Sequence, residues 1–310
     1  MNFQKTLKNE LTCQSVGLHT GRKITMTIRP AASDEGILLV RRDKDRCHRI
    51  KVSLENVTDT TLATTIGTNG TAVSTVEHIL SAFSGMGVDN AIIEVDGPEI
   101  PIMDGSALPF VEMVKKAGTC MQEKLRKYLV VKKPVHVSEG ESYAMFVPSA
   151  SFEITYRIRF DHPSIGVQSY HLIVSDESYE QEICNSRTFG FLKDVEYLQA
   201  RGLALGGSLK NAVILDETRI INKEGLRAPD EFVKHKILDA IGDLSLTGMP
   251  IMGHFVAYKS GHKLNSMLLK ALFEQKESWT TATAVHIQEP YEELNALDAP
   301  SYKMLNAVHA

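Results

Sequence analysis

Hydrophobic and polar residues alternate in the first part of the chain, as they do in strands that bury one face. Residues 23–29 alternate with a period of two, and residues 36–40 form a second extended run. Residues 90–95 have the same character. Between them, the pair Asn69-Gly70 is the strongest two-residue signal for a hairpin. The pattern predicts a sheet that contains these segments.

The spacing of apolar residues then predicts two helices. The sequence Ser-Thr-Val-Glu at 74–77 has the spacing of a capping box, in which the Glu77 carboxylate bonds back to the start of the helix. Apolar residues follow at helical intervals, at Val76, Ile79, Leu80 and Phe83. We expect this helix to begin at Ser74 and to stop near 85–87. A second helix is expected at residues 107–117.

The second half of the chain repeats this order of strands followed by helices. Strands are predicted at residues 128–137, 143–147, 153–160 and 170–174. Helical segments follow from about Ser178, and the strongest helical pattern covers residues 231–246. A strand at 253–259 and a last helix at 263–279 complete the pattern.

A charged segment at residues 122–127 separates the two halves. On each side of it, a helix that carries a histidine, His78 or His235, is followed by a strand and another helix, which suggests two copies of one unit. We therefore expect an α+β fold of two similar domains, each a β-sheet packed against two helices. The first domain is placed at residues 1–124, the second at 128–289, and a loosely attached tail at 290–310.

Composition and charge describe an ordinary globular protein. The 310 residues are 43% hydrophobic and 23% charged, and the formal net charge of −4 argues against nucleic-acid binding, although not against a local phosphate site. We find neither a membrane-spanning apolar run nor a secretory signal, so we expect a cytoplasmic protein, and we expect a monomer. The four cysteines form no CxxC pair, which disfavours a cysteine-based zinc site.

The helix predicted at 231–246 carries three polar residues on one face. His235 and Asp239 are four residues apart, and Asp243 lies one turn further. Imidazole and carboxylate groups bind zinc, and catalytic zinc sites use three protein ligands. His78 could supply the third ligand, with Glu77 beside it as a general base. Two alternatives stay open here: the helix face could be a solvated, salt-bridged surface, and Glu77 could serve its capping box alone.

Further candidates lie near predicted turns. His262 follows a glycine at a strand-to-helix turn, where functional groups are common, although a histidine near a helix start is equally ordinary. Lys236 and Lys259 are candidate phosphate contacts. The hydroxyl of Thr188 and the ring of Phe189 are typical of a wall that faces a sugar or base, but also of core packing.

Five short motifs occur in order along the chain. They are Ser-Thr-Val-Glu-His at 74–78, Glu-Ile-Pro-Ile-Met-Asp-Gly-Ser at 99–106, Arg-Thr-Phe-Gly-Phe at 187–191, His-Lys-Ile-Leu-Asp-Ala-Ile-Gly-Asp-Leu at 235–244 and Tyr-Lys-Ser-Gly-His at 258–262. In this order and spacing they resemble the bacterial UDP-3-O-acyl-N-acetylglucosamine deacetylases. The resemblance extends from about Lys5 to Trp279, whereas residues 44–64 and the tail carry no motif.

The resemblance implies a zinc amidase that removes the acetyl group from UDP-3-O-[(R)-3-hydroxyacyl]-N-acetylglucosamine, the committed step toward lipid A, at a site between two α+β domains. It implies that His78, His235 and Asp239 hold the zinc ion. Glu77 would activate the attacking water, and His262, oriented by Asp243, would act as a cation or acid. The implied substrate contacts are Thr188 to the amide oxygen, Phe189 to the sugar, Lys236 and Lys259 to the diphosphate, and Phe160 to uracil.

The acyl chain of such a substrate needs an apolar passage. Leu18 and residues 197–213 supply apolar side chains at a place that otherwise looks like an insertion between helices and strand. The alternative is ordinary core packing of these leucines. Two other functions remain open, a metal-dependent hydrolase of another amide, such as a peptide, and a binding module without catalysis. The absence of an HExxH motif disfavours a peptide hydrolase. A binding module without catalysis would not require the polar residues around Glu77 and His78.

Overall fold

The computed structural model of the protein describes residues 2–43 and 46–283. In the first half, two α-helices accompany the strands: α1 (Glu77–Gly85) and α2 (Leu108–Ala117). The strands are β1 (Phe3–Leu7), β2 (Leu11–Val16), β3 (Lys23–Pro30), β4 (Ile37–Asp43), β5 (Arg46–Lys51), β6 (Val57–Asp59), β7 (Thr65–Thr68), β8 (Thr71–Val73), β9 (Ala91–Val95) and β10 (Thr119–Leu125). A 3₁₀ turn covers Leu54–Asn56.

The second half contains four α-helices: α3 (Asp176–Ser178), α4 (Leu192–Gln199), α5 (Glu231–Leu244) and α6 (His262–Glu274). Its strands are β11 (Lys127–Val131), β12 (Val135–Glu139), β13 (Ser142–Val147), β14 (Phe152–Arg159), β15 (Val167–Ile173), β16 (Phe189–Phe191), β17 (Val213–Leu215), β18 (Ile251–Tyr258) and β19 (Trp279–Thr283). Shorter helical turns cover Tyr179–Ile183, Ser245–Thr247 and Lys276–Ser278.

The sheet of the first half has the strand order β2-β3-β9-β4-β5. Neighbours in it are antiparallel except β4 and β9, which are parallel. Alternation along β3 buries Ile24, Met26 and Ile28 in a core that also contains Ile79 of α1 and Phe110 of α2. The period of two along residues 23–29 arises because every second side chain of β3 points to the sheet face that packs on the helices.

The sheet of the second half is built around β18. This strand pairs with β13 on one side. On its other side, the start of β18 pairs in parallel with β11, and the rest of β18 pairs in parallel with β14. The outer strands β12, β15 and β19 extend the sheet from β13, β14 and β11. Helix α5 packs against β14 and β15, and α6 packs against β12 and β13. The predicted α+β fold, with a sheet and two principal helices in each half, is confirmed.

Helix α1 of the first half and helix α5 of the second half pack directly on each other. The helices approach closely at Gly242, where an added Cβ atom would lie 2.0 Å from the carbonyl oxygen of Glu77. A residue without a side chain is therefore required there. This approach brings the Glu77-His78 pair of one half against α5 of the other.

Three local predictions are wrong. The capping box does not form: the helix begins at Glu77, because Thr75 adopts a left-handed conformation with φ of 58° and turns the chain before it. The strand predicted at 128–137 divides into β11 and β12 around Pro134, which lacks the N–H that a continuous ladder needs. The helix predicted to reach Trp279 ends at Glu274, because Trp279 pairs with Val131 in the sheet.

No helix within 2–43 and 46–283 has the length and apolar character that crossing a membrane requires. The predicted tail at 290–310 lies outside the described residues. The predicted boundary segment 122–127 contains the end of β10, which pairs with β1, and the start of β11.

We predict that Gly242→Ala destabilises the protein although alanine favours helix by about 1 kcal/mol. The added methyl group would meet backbone rather than a movable side chain, so the free energy of unfolding should fall by about 1–3 kcal/mol. Denaturant unfolding measures this. Gly190→Ala is the matched control, since a Cβ there meets no atom within 4 Å. Equal stability of the two variants would contradict the close helix contact.

Candidate active site

Three buried side chains from the two halves converge at the α1–α5 contact. His78 lies on α1, and His235 and Asp239 lie one turn apart on α5. The Asp239 Oδ1 atom is 3.5 Å from His78 Nε2 and 3.3 Å from His235 Nε2. Their exposed fractions are 4%, 2% and 4% for His78, His235 and Asp239, so the solvated-surface alternative is wrong.

The spacing of these atoms fits a tetrahedral metal ion. Ligand atoms about 2.0–2.2 Å from zinc are about 3.4 Å apart, close to the two distances that Asp239 Oδ1 makes. The three side chains therefore form a group that could hold a metal ion.

Neighbouring groups set the orientation and the protonation state of His235 and the charge of Asp239. His235 Nδ1 donates to the carbonyl oxygen of Ser186 at 3.0 Å, which leaves the Nε2 lone pair directed at the cluster. Burial lowers the pKa of His235 to about 4, so the ring is neutral at physiological pH. Burial alone would raise the pKa of Asp239, but its contacts with the polar His235 ring and with the charged Lys236 outweigh burial and hold that pKa well below its usual range.

Glu77 lies beside His78 and is also buried. Its Oε2 atom accepts the backbone N–H of Thr64 at 3.0 Å, so the carboxylate does not act as a helix cap. Burial raises the pKa of Glu77, an effect that the nearby His262 and His78 oppose. A raised pKa makes the carboxylate a stronger proton acceptor near neutral pH.

His262 faces Glu77 from the start of α6. Its Nε2 atom is 4.0 Å from Glu77 Oε1, and its Nδ1 donates to Asp243 Oδ2 at 2.9 Å. Burial would lower the pKa of His262, but Asp243 and Glu77 overcome this effect and raise it to about 9. The imidazole is therefore a cation at neutral pH. Its hydrogen-bond partner is Asp243, the residue that was expected to orient it.

Two hydrogen-bonding residues were missed in the sequence. Thr64 donates through its hydroxyl to Asp243 Oδ1 at 2.6 Å and through its N–H to Glu77, so it connects the two carboxylates. Asn265 donates to Asp243 Oδ2 at 2.8 Å. Thr64 lies in the stretch without a motif, where nothing marked it. Asn265 is three residues after His262 on a helix, a spacing that could have indicated it.

The aromatic candidates lie together beside the group formed by His78, His235 and Asp239. The ring centroid of Phe189 is 5.6 Å from that of Phe160, 4.9 Å from Phe232 and 6.2 Å from His235. Thr188 immediately precedes Phe189, and its N–H donates to the carbonyl oxygen of Gly105 at 2.8 Å. The 187–191 motif thus lies along the edge of the cluster.

The two candidate lysines differ in position. Lys236 donates to Asp239 Oδ2 at 2.7 Å and so directly contacts one of the three side chains that could hold a metal ion. Lys259 has a left-handed backbone with φ of 50° and pairs with the exposed Glu141 at 2.8 Å. The structure therefore brings Lys236 into the cluster and places Lys259 in a surface ion pair.

The loop around Leu18 is anchored by a buried carboxylate. Glu99 accepts hydrogen bonds from the backbone N–H groups of His19 and Thr20 and from the Thr20 and Thr75 hydroxyls. The Leu18 carbonyl oxygen in turn accepts the N–H of Gly206 at 3.0 Å. The Leu18 loop and the 197–213 segment therefore lie side by side. Large apolar side chains in and near that segment are exposed, at Leu192, Tyr197, Leu205 and Leu209.

The chain is similar to known proteins over most or all of its length. Residues 4–274 match the family model described as UDP-3-O-acyl N-acetylglycosamine deacetylase. A protein of Syntrophus aciditrophicus (strain SB) named UDP-3-O-acyl-N-acetylglucosamine deacetylase is 73% identical over 315 aligned positions, which cover 100% of each chain. Proteins of the same name from Syntrophotalea carbinolica and Shewanella sp. (strain W3-18-1) are 49% and 48% identical, over 90% of this chain and 90% and 92% of theirs.

We predict that an NMR titration of His262 gives a pKa near 9, and that Asp243→Asn lowers it, because the mutation removes the negative charge that favours the imidazolium. Since the folded pKa lies above the unfolded value of about 6.5, the stabilisation from protonated His262 is complete below that value and is lost as pH rises through 9. A wild-type His262 pKa of about 6.5, the value of an unperturbed histidine, would contradict this electrostatic account.

Proposed function

The chain belongs to the UDP-3-O-acyl N-acetylglycosamine deacetylase family, as the five motifs indicated, and on that basis we propose its reaction. It hydrolyses the N-acetyl group of UDP-3-O-[(R)-3-hydroxyacyl]-N-acetylglucosamine and releases acetate, on the route to lipid A. The observation that carries the proposal is the buried group of His78, His235 and Asp239 with Glu77 and His262 beside it.

We propose that the metal ion is zinc, held by His78, His235 and Asp239. The donor set of two imidazoles and one carboxylate is one that catalytic zinc sites use, and the separations of the donor atoms agree with it. When bound, zinc supplies a Lewis acid that polarises the amide carbonyl and lowers the pKa of a water ligand toward about 7. The buried cluster limits bulk water around these groups.

Glu77 is proposed to accept the proton of the attacking water. The Thr64 N–H holds one carboxylate oxygen, and the other oxygen faces His262 at 4.0 Å. Because burial raises the pKa of Glu77, the proton is more readily accepted than by an exposed carboxylate. The same proton is then available for the leaving amine.

Attack on the amide places negative charge on the carbonyl oxygen. The imidazolium of His262 and the hydroxyl of Thr188 are proposed to stabilise this oxyanion, and such preorganised donors contribute typically about 3 kcal/mol each. The His262–Asp243 bond fixes the ring and maintains its charge. Proton delivery to the amine by Glu77 or by His262 is equally compatible with the arrangement.

Substrate contacts extend from this centre. We propose that Phe189 packs on the sugar, that Phe160 stacks on uracil, and that Lys236 and Lys259 face the diphosphate. The acyl chain is proposed to follow the Leu18 loop and residues 197–213. We also propose the division into domains at 1–124 and 128–289, with the active site between them.

The two competing functions have less support. A peptide hydrolase does not account for the family match, since the relatives are named for a UDP-sugar substrate. A silent binding module does not account for five polar groups brought together below 5% exposure, namely Glu77, His78, His235, Asp239 and Asp243.

We predict that His78→Ala and Asp239→Ala each lower both zinc content and acetate release. The loss should exceed the roughly 10- to 100-fold typical of removing a group that merely supports a ligand. Elemental analysis and an acetate-release assay measure the two effects. Asp230→Ala, which removes a carboxylate paired with Lys234 at the start of the same helix, should retain zinc and activity. Unchanged zinc in both ligand variants would refute the assignment.

We predict a bell-shaped dependence of kcat/KM on pH. Activity rises as Glu77 ionises and falls as His262 loses its proton near pH 9. His262→Ala should remove or move the basic limb. Glu77→Ala should lower kcat by about 10²- to 10⁴-fold while zinc is retained. Near-normal turnover of folded, zinc-loaded Glu77→Ala protein would exclude Glu77 as the base.

We predict that kcat/KM rises with the length of the 3-O-acyl chain, by at most about 0.8 kcal/mol, or roughly fourfold, for each buried methylene. Leu205→Ser should weaken this preference. Met121→Ser, at an exposed apolar residue of β10, is the control and should leave it unchanged. Equal kcat/KM for long and very short chains in the wild-type protein would contradict the passage.

A further inference from the structure

A second group of metal-binding side chains lies on the sheet of the second half. Glu153 is on β14, His171 on β15 and His254 on β18. Register brings them together: Glu153 is directly opposite His254, and His171 is opposite Thr155. The three strands are adjacent, so the three side chains occupy one small area of the sheet.

This group is on the sheet face that points away from the active site. Side chains alternate along β14, and Ile154 and Tyr156 are buried in the core that the helices share. Glu153 and Thr155 therefore point to the opposite face. The exposed side-chain fractions of His171 and Glu153, 46% and 23%, show that solvent reaches this face.

The donor atoms are already close together. One nitrogen or oxygen atom from each of the three residues lies within 4.8 Å of the others. Thr155 Oγ1 is 3.0 Å from His171 Nδ1 and 2.8 Å from His254 Nε2. A hydroxyl has one proton, so it donates to one ring and accepts from the other, which orients both imidazoles.

The protonation states also suit metal binding. Burial lowers the pKa of His254, so its ring is neutral at physiological pH. Burial would raise the pKa of Glu153, but hydrogen bonds from Ser149 and Ser151 outweigh it and lower that pKa. An ionised carboxylate and a neutral imidazole are the forms that bind metals.

We propose that Glu153, His171 and His254 bind a divalent transition-metal ion, with Zn²⁺ as the probe, at a site separate from the active site. Two imidazoles and one carboxylate suit zinc and leave a position for water, whereas Mg²⁺ and Ca²⁺ prefer oxygen ligands throughout. The ion would connect β14, β15 and β18. Since it binds the folded sheet, it should stabilise the protein. This inference does not depend on the proposed reaction.

Zinc counting in two backgrounds tests the site. Full-length wild-type and His78→Ala proteins are stripped with a chelator, equilibrated with ZnCl₂, freed of excess ion and analysed for zinc. In each background, adding His171→Ala or His254→Ala should remove one zinc ion per chain. Adding His136→Ala, on the outer strand β12 of the same sheet and outside the group, should remove none. In the His78→Ala background, zinc should also raise the melting temperature unless His171 is replaced.

Equal zinc content with and without His171 would overturn the proposal. His171 is exposed near the end of β15, so replacing it should leave the core intact. If His254→Ala fails to fold, His171→Ala is the variant that tests the proposal. Failure of the proposed active site would be seen separately, as no difference in zinc between the wild-type and His78→Ala backgrounds.

Discussion

The close contact between α1 and α5 is the constraint on which the rest of the site depends. Gly242 has no side chain, so the carbonyl oxygen of Glu77 can occupy the space that a Cβ would fill. This approach puts His78, from the first half, within 3.5 Å of Asp239, from the second. Neither half contains the three proposed ligands alone. The proposed metal site therefore depends on how the two halves pack.

Burying so many ionisable groups is costly unless their charges are compensated. The cluster balances three carboxylates, Glu77, Asp239 and Asp243, against the cations of Lys236 and His262, while His235 stays neutral. A dication suits such a cluster, since it would bind the Asp239 carboxylate and the imidazoles of His78 and His235 at once. The electrostatics thus agree with the metal assignment made on distances.

Much of this arrangement could be predicted from the sequence, because it depends on short-range periodicity. The four-residue spacing of His235 and Asp239 placed them on one helix face, and alternation along residues 23–29 placed the buried face of β3. Predictions failed where the local structure depends on the conformation of one residue or on a contact with a residue distant in the sequence. The left-handed conformation of Thr75 prevents the capping box that the sequence predicted. Thr64 reaches Asp243 across the fold, and no local pattern indicates such a contact.

The inner and outer faces of the two sheets have different roles: the inner faces support the active site, and the outer face of the second sheet carries a separate group of donor atoms. Their helix-covered faces supply the core that holds α1 and α5 in place, and hydrogen bonds from Thr64 and Asn265 then fix the polar side chains. The outer face of the second sheet carries an independent set of donors. A metal ion in the active site would connect the halves, whereas one on the outer face would connect strands within one half.

The central claim is that a zinc ion is held where the two halves meet. Anomalous X-ray scattering at the zinc edge, from crystals of zinc-loaded enzyme that releases acetate, tests it most directly. The account predicts a peak within about 2.0–2.2 Å of His78 Nε2, His235 Nε2 and Asp239 Oδ1. An active, zinc-loaded enzyme with no peak among these three atoms would contradict it.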